Sequence, residues 1–205
     1  MPKEIKVTPA GELMWAKLLR PGINGRGTDH EKEQWSVDLL LSKADADAQA
    51  FVKQLKEAFI AAHGSTSKPG ANGLPWKTYK DDKGDETDLW QFSFKRNVTT
   101  KAGAELPPPV VTDAAGNRWP QDVLIGNGSS GKVAFSVWSW NNPEAGKGIS
   151  LNLEAARVLF LVEYAAPDPT GAFGEPEKGY VLTGNEKRTA LPGGEQEPDE
   201  EEAPF

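Results

Sequence analysis

The sequence predicts a mainly β domain closed into a small barrel of five to six strands, with one inserted helix and an acidic C-terminal tail. Three observations predict it. Apolar and polar residues alternate with period two in several segments, the pattern of strands that bury one face. The 205 residues include 21 Gly and 16 Pro, far more than a helical bundle tolerates, which points to short strands joined by turns. Only one stretch spaces its apolar residues as a helix does. A barrel is preferred to a sandwich because closure removes the exposed edges that aromatic outer strands would otherwise present.

Glu12–Leu19 reads as a strand. In Gln34–Leu41, Trp35, Val37, Leu39 and Leu41 point one way and Gln34, Ser36 and Asp38 the other. Ser42 is then the expected N-cap, with Asp45 three residues on as a weak capping box. Phe51, Val52, Leu55, Phe59 and Ile60 recur at helical spacing, and Gly64 stops a helix placed at about 44–63. Residues 64–88 read as one long loop, rich in Gly, Pro, Lys and Asp and containing Trp76 and Tyr79. A loop of that length is functional or disordered. In Leu89–Arg96, Trp90, Phe92 and Phe94 share a face opposite Gln91, Ser93 and Lys95. Val110–Thr112 is a short strand closing at the turn Asp113-Ala114-Ala115-Gly116-Asn117. In Lys132–Trp140, Val133, Phe135 and Val137 oppose Lys132, Ala134, Ser136, Trp138 and Trp140. Ile149–Tyr164 is apolar on both faces in its second half, as in a strand buried on both sides. The folded domain is thus expected at 1–165. Residues 166–205 are Pro-, Gly- and acid-rich, cannot bury enough apolar area to offset chain entropy, and are expected to be disordered.

Composition narrows the function classes. Cysteine is absent, which excludes disulfides, thiol chemistry and Cys-ligated zinc. Nowhere do 18 apolar residues run together, so no membrane span is expected. No apolar run follows Met1–Lys6, so no signal peptide is expected either, and a cytoplasmic location follows. The net charge is −7, but Glu195, Glu197, Asp199, Glu200, Glu201 and Glu202 carry six of those negative charges. Residues 1–188 hold 24 acids against 23 bases, so a nucleic-acid-binding face must be a local basic patch.

Enzyme signatures do not assemble. Gly126-Asn127-Gly128-Ser129-Ser130-Gly131-Lys132 satisfies G-x-G-x-x-G and nearly matches a phosphate loop. Both patterns require a helix to follow, because its N-terminus supplies the phosphate-binding amides. The residues that follow read as a strand, and Val133 stands where a magnesium-binding hydroxyl is needed. A flexible turn with Lys132 reaching a phosphate fits better. His30 and His63 lack the partners of a metal site or triad. Asp81, Asp82, Asp85, Glu86 and Asp88 lack calcium-loop spacing and read as a solvated turn. No catalytic residue, metal or cofactor is assigned.

Aromatics beside bases are more informative. Binders of single-stranded nucleic acid combine a positive groove with aromatic faces for base stacking, each stack worth about 1–3 kcal/mol. Four segments have this mixture: Met14–Arg20, with Lys17 and Arg20; Trp76–Lys80, with Lys77 and Tyr79; Trp90–Arg96, with Lys95 and Arg96; and Lys132–Trp140. Trp35 and Trp90 alternate in phase with apolar neighbours and belong to the core. Trp138 and Trp140 lie opposite the core face, in phase with Lys132 and Ser136. Two exposed tryptophans imply base stacking or an oligomer interface. The acidic tail, closed by Phe205, has the makings of a displaceable DNA mimic and of an anchor for partner proteins.

Taken in order, these segments resemble the bacteriophage single-stranded DNA-binding proteins of the podovirus replication type. The resemblance runs through Lys17–Pro21, Trp35-Ser36-Val37-Asp38-Leu39, Phe92-Ser93-Phe94-Lys95, and Val110-Val111-Thr112-Asp113 with Gly116. It is strongest from Ile125-Gly126-Asn127-Gly128-Ser129 through Lys132-Val133 to Gly148-Ile149-Ser150-Leu151-Asn152-Leu153, and it ends in the acidic tail. It implies an OB fold that binds single strands on a barrel face. It also implies tail contacts with the phage DNA polymerase and helicase-primase, dimerisation, help with strand annealing, and work in the cytoplasm of an infected bacterium. By position, Trp140 and Lys95 match DNA-contacting residues of the family, and Lys77 does so loosely. The region Gly64–Leu89 is shorter and less basic than the family pattern, and the tail is less acidic. Rival readings are an annealing factor that also tolerates duplex DNA, and a β-rich virion protein whose exposed tryptophans pack subunits.

Overall fold

A computed structural model describes residues 4–24, 31–100 and 102–164. The strands are β1 (Lys6–Val7), β2 (Gly11–Asn24), β3 (Lys32–Ser42), β4 (Trp76–Lys80), β5 (Glu86–Asn97), β6 (Val110–Thr112), β7 (Ser129–Asn142) and β8 (Gly146–Phe160), and the helix is α1 (Ala46–His63). β2 pairs antiparallel with β3, and β3 with β5. β5 runs parallel to β8, β8 pairs antiparallel with β7, and β7 returns to β2. The ring closes on five strands, the barrel architecture of an OB fold. β1 adds to β7, β4 to β5, and β6 runs parallel to β8.

Period-two alternation builds the interior. Val37 lies opposite Phe94 and Leu39 opposite Phe92 across the β3–β5 ladder, and all four are fully buried. Val133, Phe135, Leu151 and Leu153 fill the interior from β7 and β8. Burying side chains of this size contributes about 1.5–3 kcal/mol each. The helix closes the interior from one side: Phe51 sets its ring 4.9 Å from Phe92 and 5.6 Å from Phe135. Among the described residues no helix is long and apolar enough to cross a membrane.

Four expectations need correction. The N-cap is Asp45, whose carboxylate accepts from the amides of Asp47 (2.7 Å) and Ala48 (3.4 Å), whereas Ser42 Oγ accepts only from the Ala44 amide (3.2 Å). An ionised cap also complements the helix dipole better than a hydroxyl does. Residues 64–88 are not one loop, because Trp76–Lys80 forms β4 and pairs with β5. Five residues flanked by Gly and Pro are too few to show a period. The second half of β8 is not buried on both faces: Leu159 is 42 % and Phe160 62 % exposed. β6 pairs along its edge and leaves its outer face open. Finally, Gly126–Lys132 turns only at Asn127-Gly128, and hydrogen bonds tie it to the barrel. Ser129 is fully buried, its Oγ donates to the Gly126 (2.8 Å) and Val162 (3.1 Å) carbonyls, and it accepts from the Val162 amide (3.0 Å). The segment passes into β7 at Ser129, a strand where a phosphate loop needs a helix. The expected tail, 166–205, lies outside the described residues, as does His30.

Candidate nucleic-acid interface

The alternation that sends Phe92 and Phe94 inward leaves Gln91, Ser93 and Lys95 on the outer face of β5, with Lys95 exposed. β4 pairs with β5 so that Lys77 stands opposite Gln91, and Lys77 therefore shares that outer face. β8 joins β5 further along, with Asn152 opposite Lys95. A groove of about 400 Å³ is lined by Trp76, Lys77, Gln91, Ser93, Lys95 and Ser150. Lys77 and Lys95 are both exposed, and among the described residues neither enters an ion pair. Gln91, in the groove lining, donates from Nε2 to the Asp38 carboxylate. Among the described residues the groove thus offers two unpaired ammonium groups beside a lining that mixes polar Gln91, Ser93 and Ser150 with apolar Leu74, Ile149 and Leu151.

Aromatic rings flank these cations. Trp76 packs onto the core, 6.4 Å from Phe92 at a 28° interplanar angle, and its remaining surface lines the groove. Trp140 lies flat on Gly148, where a Cβ would stand 2.2 Å from Cζ2 of the indole. Its Nε1–H donates to Ser150 Oγ at 3.0 Å, which fixes the ring beside the groove wall. Trp140 is therefore half-buried rather than freely exposed. Trp138, opposite Ser150 on the same face of β7, is 62 % exposed.

The remaining wall comes from the segment between α1 and β4. Gly70 N–H donates to the Lys147 carbonyl and Ile149 N–H to the Gly73 carbonyl, both at 2.9 Å. A Cβ at Gly70 would stand 2.0 Å from the Ala145 carbonyl oxygen, so glycine permits this approach. His63 adds a bond between Nε2 and the Gly148 carbonyl at 3.0 Å, a structural role at the helix end.

The other predicted site residues are distributed differently. Tyr79, two residues after Lys77 on β4, is half-buried, with its ring 6.3 Å from Trp15. Lys80 is exposed beyond a register irregularity, opposite Glu86. Lys17 and Arg20 line a separate, mostly apolar pocket of about 320 Å³ with Trp15, Leu19, Leu124 and Tyr164. Arg96 is committed elsewhere: Nη1 pairs with Glu154 Oε2 at 3.0 Å and Nε donates to the Pro107 carbonyl at 2.9 Å. Its half-buried guanidinium ties β5 to β8 and is not offered to a ligand. Lys132 is exposed opposite Arg157, near the start of β7. Eight residues of strand separate it from Trp140, roughly 26 Å at strand rise, so it does not join the groove. Glu195, Glu197, Asp199, Glu200, Glu201, Glu202 and Phe205 lie outside the described residues.

Trp15 was not singled out by sequence. It is 47 % exposed and has φ +49°, at a register break of β2 between Met14 and Lys17. Alternation locates such a residue only if the strand keeps its phase, and a bulge breaks that phase.

Relatives agree with this architecture. No protein-family model matches the chain. It is 27 % identical over 192 residues to the single-stranded DNA-binding protein of Escherichia phage T7, covering 84 % of this chain and 82 % of that protein. The single-stranded DNA-binding protein of Enterobacteria phage T3 is 28 % identical over 209 residues, covering 93 % and 90 %. Among solved structures, gp2.5, a single-stranded DNA-binding protein encoded by bacteriophage T7, superposes with a TM-score of 0.59 at 22 % identity, over 88 % of this chain and 100 % of that one. The single-stranded DNA-binding protein from bacteriophage Enc34 in complex with ssDNA gives 0.58 at 17 % identity, over 80 % and 88 %. Along most of its length the chain is similar to the single-stranded DNA-binding proteins of bacteriophages, and it has their fold.

Proposed function

We propose that this protein binds single-stranded DNA during phage replication and recombination, protecting the strand rather than transforming it. The convergence of Lys77, Lys95 and Trp76 on one groove of the barrel, with Trp140 held beside it through Ser150, carries this reading. Ammonium groups hold the sugar-phosphate chain while indole faces receive bases, a combination that tolerates any sequence. The names of the relatives support the same ligand. We extend the reading to the acidic tail, which would recruit the phage DNA polymerase and helicase-primase and compete with DNA for the cationic groove. A homodimer, assistance to strand annealing, and action in the cytoplasm of the infected bacterium belong to the same proposal.

Tryptophan fluorescence during titration with oligo-dT tests it, at low and high salt, with the full chain and a chain ending at Ala190. The expected result is quenching that weakens with salt, and tighter binding by the shortened chain. Absence of binding by both chains at low salt would overturn the reading.

A further inference from the structure

Trp15 is the sole non-glycine residue with positive φ among the described residues, at +49°. A side chain with a Cβ adopts that conformation only when its surroundings impose it. Here the imposing group is identifiable. The Trp15 amide donates to Asn127 Oδ1 at 2.7 Å, across 112 residues of sequence. Asn127 is held in turn, because Gly126 N–H donates to the Val162 carbonyl at 2.8 Å and Ser129 is locked beneath it. The segment that imitates a phosphate loop in sequence therefore acts as a latch on the β2 bulge.

The latch turns an indole outward when an inward one would add to the core. Tyr79, two residues after Lys77 on β4, approaches one side of the indole, with ring centroids 6.3 Å apart. The pocket of about 320 Å³ opens beside it, with Leu19, Leu124 and Tyr164 in its lining and the cations Lys17 and Arg20 exposed. That space accommodates a purine or pyrimidine ring, and the two cations suit its phosphate.

We propose that Trp15, Tyr164, Lys17 and Arg20 form a second nucleobase subsite, reached from the groove past Tyr79. It holds one unpaired nucleotide of the same strand, with Asn127 as a positioning residue. This rests on the single-stranded DNA reading above. Base stacking on Trp15 and phosphate pairing with Lys17 and Arg20 extend the strand's path beyond the groove.

Oligo-dT of increasing length, titrated into the full chain and its Trp15→Ala, Trp15→Phe, Asn127→Ala and Lys95→Ala variants, tests the subsite. Circular dichroism establishes that each variant is folded. Trp15→Ala is expected to bind long oligomers about tenfold more weakly, as loss of one base stack implies, and to occlude fewer nucleotides. The shortest oligomers that still bind should not distinguish it from the parent, and Trp15→Phe should restore most of the loss. On a strand of abasic sites the parent and Trp15→Ala should bind alike. Asn127→Ala should weaken long oligomers too, and adding it to Trp15→Ala should cost nothing more. Unchanged affinity and site size in Trp15→Ala, with Lys95→Ala still weakened, would overturn the subsite and leave the groove standing. A change in oligomeric state of Trp15→Ala without a change in DNA binding would likewise overturn it, in favour of a contact between copies. Failure of the parent chain to bind any oligomer would overturn the functional reading itself.

Discussion

Two stretches of this chain offer a lysine among small polar residues, and the fold uses them in opposite ways. Near the start of β7, Gly126–Lys132 imitates a phosphate loop, yet its polar groups are turned on the protein itself. Ser129 serves the Val162 backbone and Asn127 the Trp15 amide. On β4 and β5, Lys77 and Lys95 belong to no phosphate-loop pattern, yet strand pairing brings them to one groove, and neither enters an ion pair among the described residues. A run of suitable residues in sequence is thus a weaker indicator of a binding site than convergence of residues from separate strands.

The largest expected effect sharpens that contrast. Trp140→Ala should weaken oligo-dT binding on the order of 10- to 100-fold, the loss of one well-placed stack. Trp140→Phe, which keeps a ring and drops the bond to Ser150 Oγ, should fall between. Affinity measured by fluorescence anisotropy with labelled oligo-dT decides it. If Trp140→Ala binds as the parent does, the groove is not where bases lie.

Arg96 and Lys95 are adjacent, and should separate cleanly into stability and binding. Removing Arg96 breaks its ion pair with Glu154, a carboxylate that also accepts from Ser136 Oγ at 2.9 Å. Charged hydrogen bonds of this kind contribute about 1.5–3 kcal/mol, so Arg96→Ala should lower the urea midpoint accordingly. Its oligo-dT affinity, measured where the variant is fully folded, should match the parent. A large binding defect with an unchanged urea midpoint would mean that the guanidinium reaches DNA after all.

Lys95→Ala against Lys132→Ala tests the two stretches directly. Each phosphate contact to a single strand contributes about 0.7 to the slope of log affinity against log salt. Lys95→Ala should reduce the slope by about that amount and weaken binding severalfold, whereas Lys132→Ala should change neither. A slope lowered by Lys132→Ala and unchanged by Lys95→Ala would place the strand along β7 rather than across β4 and β5.

The barrel was legible because alternation reports burial wherever a strand holds its phase. Val37, Leu39, Phe92, Phe94, Val133 and Phe135 were all assigned inward and are all buried. What stayed illegible depended on pairing between distant segments. β4 is five residues long and acquires its face only from Gln91 and Trp90 across the ladder. Arg96 looked like Lys95 because nothing local reveals Glu154, 58 residues away. Trp15 was hidden by a bulge whose stabilising acceptor lies on another strand's approach. In the site, aromatics beside bases and strand alternation point to Lys77, Lys95 and Trp140, as does the resemblance; the structure adds a groove shared by Lys77 and Lys95, with Trp140 beside it through Ser150, without testing their contacts.

The smallest effect concerns a turn remote from the groove and checks that the two regions are energetically independent. Asp113 closes its turn by accepting from the Asn117 amide and side chain, both at 2.8 Å. The Asn117 side-chain bond, followed by the Asn117 backbone bond, holds the Asp113 carboxyl below its ordinary range. A carboxylate with a lowered folded pKa adds stability that is complete above its unfolded value, about 3.9. That stability disappears as pH falls through the lowered folded value. Asp113→Asn keeps an acceptor and removes the charge. Its urea midpoint should sit slightly below the parent's from neutrality to about pH 5 and converge with it in stronger acid. A gap that persists unchanged into acid would mean the turn depends on side-chain shape rather than charge. At neutral pH, oligo-dT affinity should be the same for both proteins, because the turn shares no residue with the groove.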